Sequence, residues 1–268
     1  MTLSLLVKMA TTAVVVIGVT LAVARLGPRL GGVIAGTPIV LGPAFFFLGL
    51  ERSAGFVAEA ALAAIHALTA TLVFLITYVA VAGRLGPVTS LLAAVTAWGL
   101  SATAFATLPG GYPLGLVVYV LVFGLALAAR RWLRLSQPRV QAPNRWLDLL
   151  LRGLAAGVLV GVATTVAATA GPKISGTLTG FPVGFTVIAL TLHQRFGAPV
   201  ARATLAAAQG GMFSLVAFAV AAAATAPALG GMGAFWLALG SSLAVSAGLF
   251  ALSHFTDEQR PRRGREAP

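Results

Sequence analysis

The chain has 268 residues, 59% of them apolar and only 9% charged, with a mean hydropathy of +0.97; soluble domains carry about 25% charged residues, so a soluble globular domain is excluded and a polytopic membrane protein is expected. The net charge of +12 would suit nucleic acid, but the basic residues line the ends of apolar runs instead of forming one polar domain, which argues against that partner. There is no cysteine and the three histidines are scattered, so disulfides, thiolate metal sites and a zinc cluster are excluded, and no cofactor is expected.

The apolar runs are continuous and long enough for helices of about 20 residues, whereas a membrane β-barrel would alternate in short segments. Nine spans are predicted, at 5–25, 30–50, 57–82, 87–107, 113–133, 149–170, 174–194, 203–226 and 232–254. The expected fold class is therefore all-α, a polytopic membrane protein of about nine transmembrane helices. The first span resembles a signal peptide, with Lys8 ahead of an apolar run, but a counterpart later in the chain argues that it stays. Span two carries the break Gly36-Thr37-Pro38. Span three follows Ser53, with room for an interfacial turn at Glu59, and His66 lies seven residues on, two turns along the same helical face.

Span five is followed by the basic loop 134–148. Span seven contains the break Thr179-Gly180-Phe181-Pro182 and ends near His193, and in span eight Gln209 and Ser214 bracket a run of small residues that suits close helix approach. The tail TDEQRPRRGREAP reads as disordered and basic, suited to rest on anionic lipid at ~1 kcal/mol per basic residue.

The two breaks belong to a repeat. GPRLGGVIAGTP at 27–38 returns 144 residues later as GPKISGTLTGFP at 171–182, with Gly27/Gly171, Pro28/Pro172, Gly32/Gly176, Gly36/Gly180 and Pro38/Pro182 identical. Lys8 and Arg152 share the offset, as do Thr20 and Thr164, and Leu85-Gly86 and Leu229-Gly230. Two four-helix units, near 8–107 and 152–251, are expected, with the unpaired span 113–133 as connector. The domain reading is a first repeat at 1–110, a connector helix and basic cytoplasmic loop at 111–148, an inverted repeat at 149–254 and the tail 255–268. Inversion follows from the five crossings between one unit's first helix and the next. With the N-terminus outside and the C-terminus cytoplasmic, every Lys and Arg except Lys8, Arg52 and Lys173 falls on the cytoplasmic side, as the positive-inside rule requires.

Pro38 and Pro182 each lie about eight residues into their spans, roughly 12 Å from opposite surfaces at ~1.5 Å per residue and so close to the midplane of a ~30 Å core. Broken helices survive there only when buried in protein or facing a watery cavity. A half-helix starting at Ile39 or Val183 would aim free amides and the positive end of its dipole at that cavity, which favours an anionic or zwitterionic solute. Gly36, Thr37, Pro38, Thr179, Gly180 and Pro182 are therefore the candidate substrate-binding residues, against the simpler reading that Gly and Pro only kink the helices. Glu59, His66 and His193 are the ionisable residues within or near spans and so the proton-coupling candidates. Each also has a plainer reading: Glu59 reaching to the interface, His66 bonded to a neighbouring helix, His193 solvated.

The stretch SGTLTGFPVGFTVIALTLHQRFG, followed by AAAQGGMFSLVAF, resembles the small GlpM-like bacterial inner-membrane proteins, whose single domain is about as long as one repeat unit. The matching positions are Gly176, Gly180, Pro182, His193, Gly211, Met212 and Ser214; the first half keeps the break but has Gly49 at the counterpart of His193. The resemblance implies a bacterial inner-membrane protein made by fusing two such domains.

With six acidic residues, no HExxH and no Ser-His-Asp set at depth, an enzyme is not expected. The best reading is a secondary transporter of a small solute by alternating access around the two breaks; the alternative is a non-transporting scaffold or accessory subunit. Expected partners are membrane lipid and a small-molecule solute, with homo-oligomerisation left open and no nucleic acid.

Overall fold

A computed structural model describes residues 2–35, 38–133, 146–167 and 169–263 and, within these, every side chain except those of 2, 20, 22–35 and 253–263. Among the described residues all regular structure is helical. The order is α1 (Thr2–Ala35), α2 (Leu41–Glu51), α3 (Ala54–Val81), α4 (Pro87–Ala106), α5 (Gly111–Trp132), α6 (Trp146–Val166), α7 (Gly171–Thr179), α8 (Val183–Ala208), a 3-10 turn (Gln209–Gly211) and α9 (Met212–Arg263). Two of these are bent: α8 at Gly197, φ 78°, and α9 at Gly230, φ 73°, a left-handed backbone that glycine adopts without Cβ strain. Five helical stretches are long and apolar enough to cross a membrane: α3, α4, α5, α6 and the run Gly171–Leu252. That is the pattern of a multi-pass membrane protein.

Helix α3 is the axis of the molecule. It is apolar all round, which is how a fully enclosed helix reads, and Ala60, Ala64, Ile65, Leu68, Leu72 and Leu75 are buried where α4, α5, α7 and α9 pack around it. Helices α4 and α5 instead expose Leu92, Leu100, Leu121 and Leu125, an apolar outer surface that suits lipid. Helices α1 and α6 pack along the Gly153, Gly157 and Gly161 stripe: a Cβ at Gly153 would stand 2.7 Å from Ile17 Cγ1, and one at Gly161 2.6 Å from Met9 Cγ. Glycine at four-residue spacing is what permits this approach.

Two expectations change. The Ser53 hydroxyl accepts the Phe56 N–H at 3.3 Å and starts α3 at Ala54, so Glu59 lies within the helix and the interfacial turn is absent. The sequence reading ends the first span at 25 and starts the second at 30, whereas α1 runs on to Ala35 and α2 starts at Leu41, so Pro28 falls inside a continuous helix. Span seven is divided into α7 and α8 around residues 180–182, at the break the sequence reading placed there.

Candidate functional site

The second break is built from the residues up. Pro182 supplies no N–H, so the α7 ladder cannot continue, and the Phe181 and Gly180 amides close short turns onto Leu178, Gly176 and Thr177 carbonyls. The Gly180 carbonyl, released by the break, lies 3.0 Å from the Thr71 hydroxyl of α3, which also stands 3.1 Å from the Ala67 carbonyl and accepts the Trp98 indole N–H at 3.2 Å. Thr179 donates to the Gly176 carbonyl at 2.7 Å, and Phe181 meets the Trp98 ring edge-on at 4.9 Å. The freed backbone thus finds partners inside the protein, the condition for a broken helix at membrane depth. Glycine makes the approach to α3 feasible, because a Cβ at Gly176 would collide with the Ala60 carbonyl and one at Gly180 would stand 2.5 Å from Ala67 Cβ.

Beside this break is a cavity of about 220 Å³ lined by Thr179, Gly180, Phe181, Pro182, Val183 and Gly184, by Ile39, Val40 and Leu41 at the start of α2, and by Val16, Leu68, Thr71, Arg152, Phe185, Ile188 and Leu215. The starts of α2 and α8 therefore open on the same space, and neither has a side-chain cap. The Gly42 and Val183 amides already donate to the Pro38 and Phe181 carbonyls, so it is the positive dipole ends of both helices that favour negative charge there. Pro38 is buried and lines a neighbouring apolar cavity of about 300 Å³ between α1, α2 and α9; Ile39 is a wall of both. Gly36 and Thr37 lie outside the described residues.

Arg152 is the feature that sequence reasoning assigned to topology alone. It projects from α6 to the cavity, and its buried Nε has no hydrogen-bond partner among the described residues. Asp148, one turn back on α6, acts on Arg152 through its charge, but its carboxylate is held by Arg195 at 2.7 Å. Two guanidinium groups share one carboxylate, and one positive charge remains. In the first half Lys8 is paired with Glu51 at 2.6 Å. Lys8 is the counterpart of Arg152 at the 144-residue offset, and Glu51 is the counterpart of Arg195. The exchange of an acid for a base at that position was the available signal that Arg152 lacks the partner Lys8 has.

The proton-coupling candidates separate into two places. Glu59 and His66 line a polar cavity of about 270 Å³ with Lys173 of α7, closed by Leu62, Ala63, Ala106 and Leu108. Glu59 and Lys173 are exposed and His66 is buried. His193 is elsewhere: its Nδ1 is 2.9 Å from the Tyr78 hydroxyl, which donates to the Ala189 carbonyl at 3.1 Å. With the Tyr78 proton on that carbonyl, His193 Nδ1 is the donor and Nε2 carries no proton in the neutral ring. Tyr78 lies twelve residues after His66 on α3, ~18 Å along the axis, so the two histidines do not share a site. Among the described residues no three His, Asp or Glu gather as a metal site.

Fold and cavity together define the class: an all-α protein of the multi-pass membrane type, with helices long and apolar enough to cross a membrane and a cavity at a helix break that is lined by Arg152. No protein-family model, curated protein or solved structure matches the chain.

Proposed function

We propose that the protein is a secondary transporter of a small anionic solute, working by alternating access around the cavity at the starts of α2 and α8. The observation that carries this reading is the convergence of two separate helix starts and the Arg152 guanidinium on one space of about 220 Å³. Transporters place their sites where discontinuous helices present dipole ends near the midplane.

The reading includes nine crossings, arranged as two inverted units near 8–107 and 152–251 joined by α5, in a bacterial inner membrane with the N-terminus outside. The bends at Gly197 and Gly230 support the units, because they fall 144 residues after Ser53 and Gly86, the residues that precede α3 and α4. So does the packing of α1 on α6, the first helix of each unit. The kinship with GlpM-like proteins remains part of this proposal. Glu59 and His66, joined by Lys173, form the proton-exchanging group, and α7 connects them to the cavity, since it carries Lys173 at one end and Thr179 at the other. His193, bonded to Tyr78, holds α8 to α3 and takes no part in coupling.

Two measurements test this. Single cysteines placed beside Arg29 and Lys173 in intact cells are expected to label from opposite faces; labelling from one face removes the inverted units. Reconstituted into liposomes with an imposed pH gradient, the protein is expected to move a small organic anion and to lose that flux in P38A/P182A. Unchanged flux in the folded double variant rules out the breaks as the site.

A further inference from the structure

We infer that the solute is a small monoanion with an apolar body, of the branched-chain or aromatic monocarboxylate class, and not an inorganic anion, a polyol or an amino-acid zwitterion. The inference rests on the transport reading only in taking the cavity as the solute site. It follows from which cavity groups are still free to bond.

Among the described residues three polar side chains line the space: Thr71, Thr179 and Arg152. The Thr71 hydroxyl is already engaged by the Gly180 and Ala67 carbonyls and by the Trp98 indole, and Thr179 has given its proton to the Gly176 carbonyl. Of these three, Arg152 alone has a donor without a partner among the described residues, its buried Nε, and its guanidinium is the one charged group of that lining. A planar guanidinium matches a carboxylate edge, and the positive dipole ends at the starts of α2 and α8 reinforce a negative group. One cation and two dipole ends hold one negative charge. A polyol would leave most of its hydroxyls without partners, which buried polar groups do not tolerate.

Phosphate, carrying more than one charge and acceptors on every side, meets the same difficulty. A zwitterion needs an acid for its ammonium, and no Asp or Glu is among the residues lining this cavity; Asp148 is taken by Arg195. The remaining walls are apolar, with Leu41, Leu68, Phe181, Phe185 and Ile188 among them. At about 220 Å³ the space lies below the ~300–1,000 Å³ of pockets for drug-sized ligands, so the apolar body is small.

The test is equilibrium binding and liposome flux of the full chain with four probes: benzoate, benzyl alcohol, phenylalanine and inorganic phosphate. Benzoate is expected to bind, and the neutral alcohol, the zwitterion and phosphate at least about tenfold more weakly, the difference one charge-assisted bidentate contact makes. R152Q is expected to lose benzoate affinity by a similar factor. A second variant guards against misfolding of the first: a Cβ at Gly184 meets nothing within 4 Å, so G184L enters the cavity without striking a neighbouring backbone and is expected to abolish benzoate binding in folded protein. Benzoate affinity unchanged in folded G184L or R152Q overturns the inference, as does tighter binding of phenylalanine or phosphate than of benzoate. Benzoate binding as described without flux supports the ligand class and removes the transport reading. Flux of phosphate or phenylalanine with benzoate ignored keeps transport and removes the inference.

Discussion

Replacing Gly180 by alanine tests whether the second break is held against α3 by backbone proximity. An ideal Cβ at this position stands 2.5 Å from Ala67 Cβ, and ordinary contact begins near 3.4 Å, so α7 and α3 must separate locally by the difference, 0.9 Å. The backbone of α3 cannot yield cheaply, because Ala64, Ala67 and Leu68 are buried on all sides. Overpacking of this kind costs about 1–3 kcal/mol. The same displacement draws the Gly180 carbonyl from the Thr71 hydroxyl, now at 3.0 Å, and an interhelical hydrogen bond in a membrane protein adds ~0.6 kcal/mol on average. By the scaling of domains of this size, the thermal midpoint is expected to fall by roughly 2–12 °C.

Gly184 is the internal control. It lies four residues on, in the first turn of α8, with nothing within 4 Å of its Cβ position. G184A is therefore expected to be neutral, or more stable by up to ~1 kcal/mol through helix propensity. Thermal unfolding of both variants in the same detergent, followed by tryptophan fluorescence, measures the gap between them. G180A as stable as G184A would refute the close approach of α7 to α3 and, with it, the shape of the cavity.

Two further outcomes follow from the charges and hydroxyls around the cavity. R195Q leaves the Asp148 carboxylate free to turn to Arg152 and neutralise the cavity from outside it, so benzoate binding is expected to weaken by roughly fivefold, the equivalent of ~1 kcal/mol for a part-screened pair; unchanged or tighter binding, read by equilibrium dialysis, contradicts the charge balance drawn here. T71V keeps the side-chain volume but removes the hydroxyl shared by Gly180, Ala67 and Trp98, and is expected to destabilise by ~0.6–1.7 kcal/mol in detergent unfolding, with T71S close to wild type.

Much of this architecture is local in origin and therefore readable along the chain. Ser53 and Gly86 precede helices as cap and turn residues do, and α4 and α5 fall within a few residues of their predicted spans. Pro182 interrupts the helix at its own position, because it supplies no N–H to the α7 ladder. Glu59 was harder: the apolar run begins so near Ser53 that a turn and a helix start look alike, and the cap hydrogen bond to Phe56 decides between them. Thr71 and Leu68 carry no sign of a role, since a threonine or a leucine in a membrane helix is ordinary until a break is packed against it.

The sequence by itself determined the helical, membrane-type class and the position of the second break, because hydropathy, proline and glycine act through a residue's own backbone and nearest neighbours. The 144-residue offset also pairs Lys8 with Arg152. Only tertiary structure decided what those equivalent positions do. Glu51 folds onto Lys8 and neutralises it, while its counterpart Arg195 takes Asp148 and leaves Arg152 facing the cavity. Tertiary packing likewise placed Lys173 beside Glu59 and His66, and carried His193 to Tyr78 at the other end of α3. Charge pairing depends on distances between residues tens of positions apart, and those distances exist only once the helices have packed.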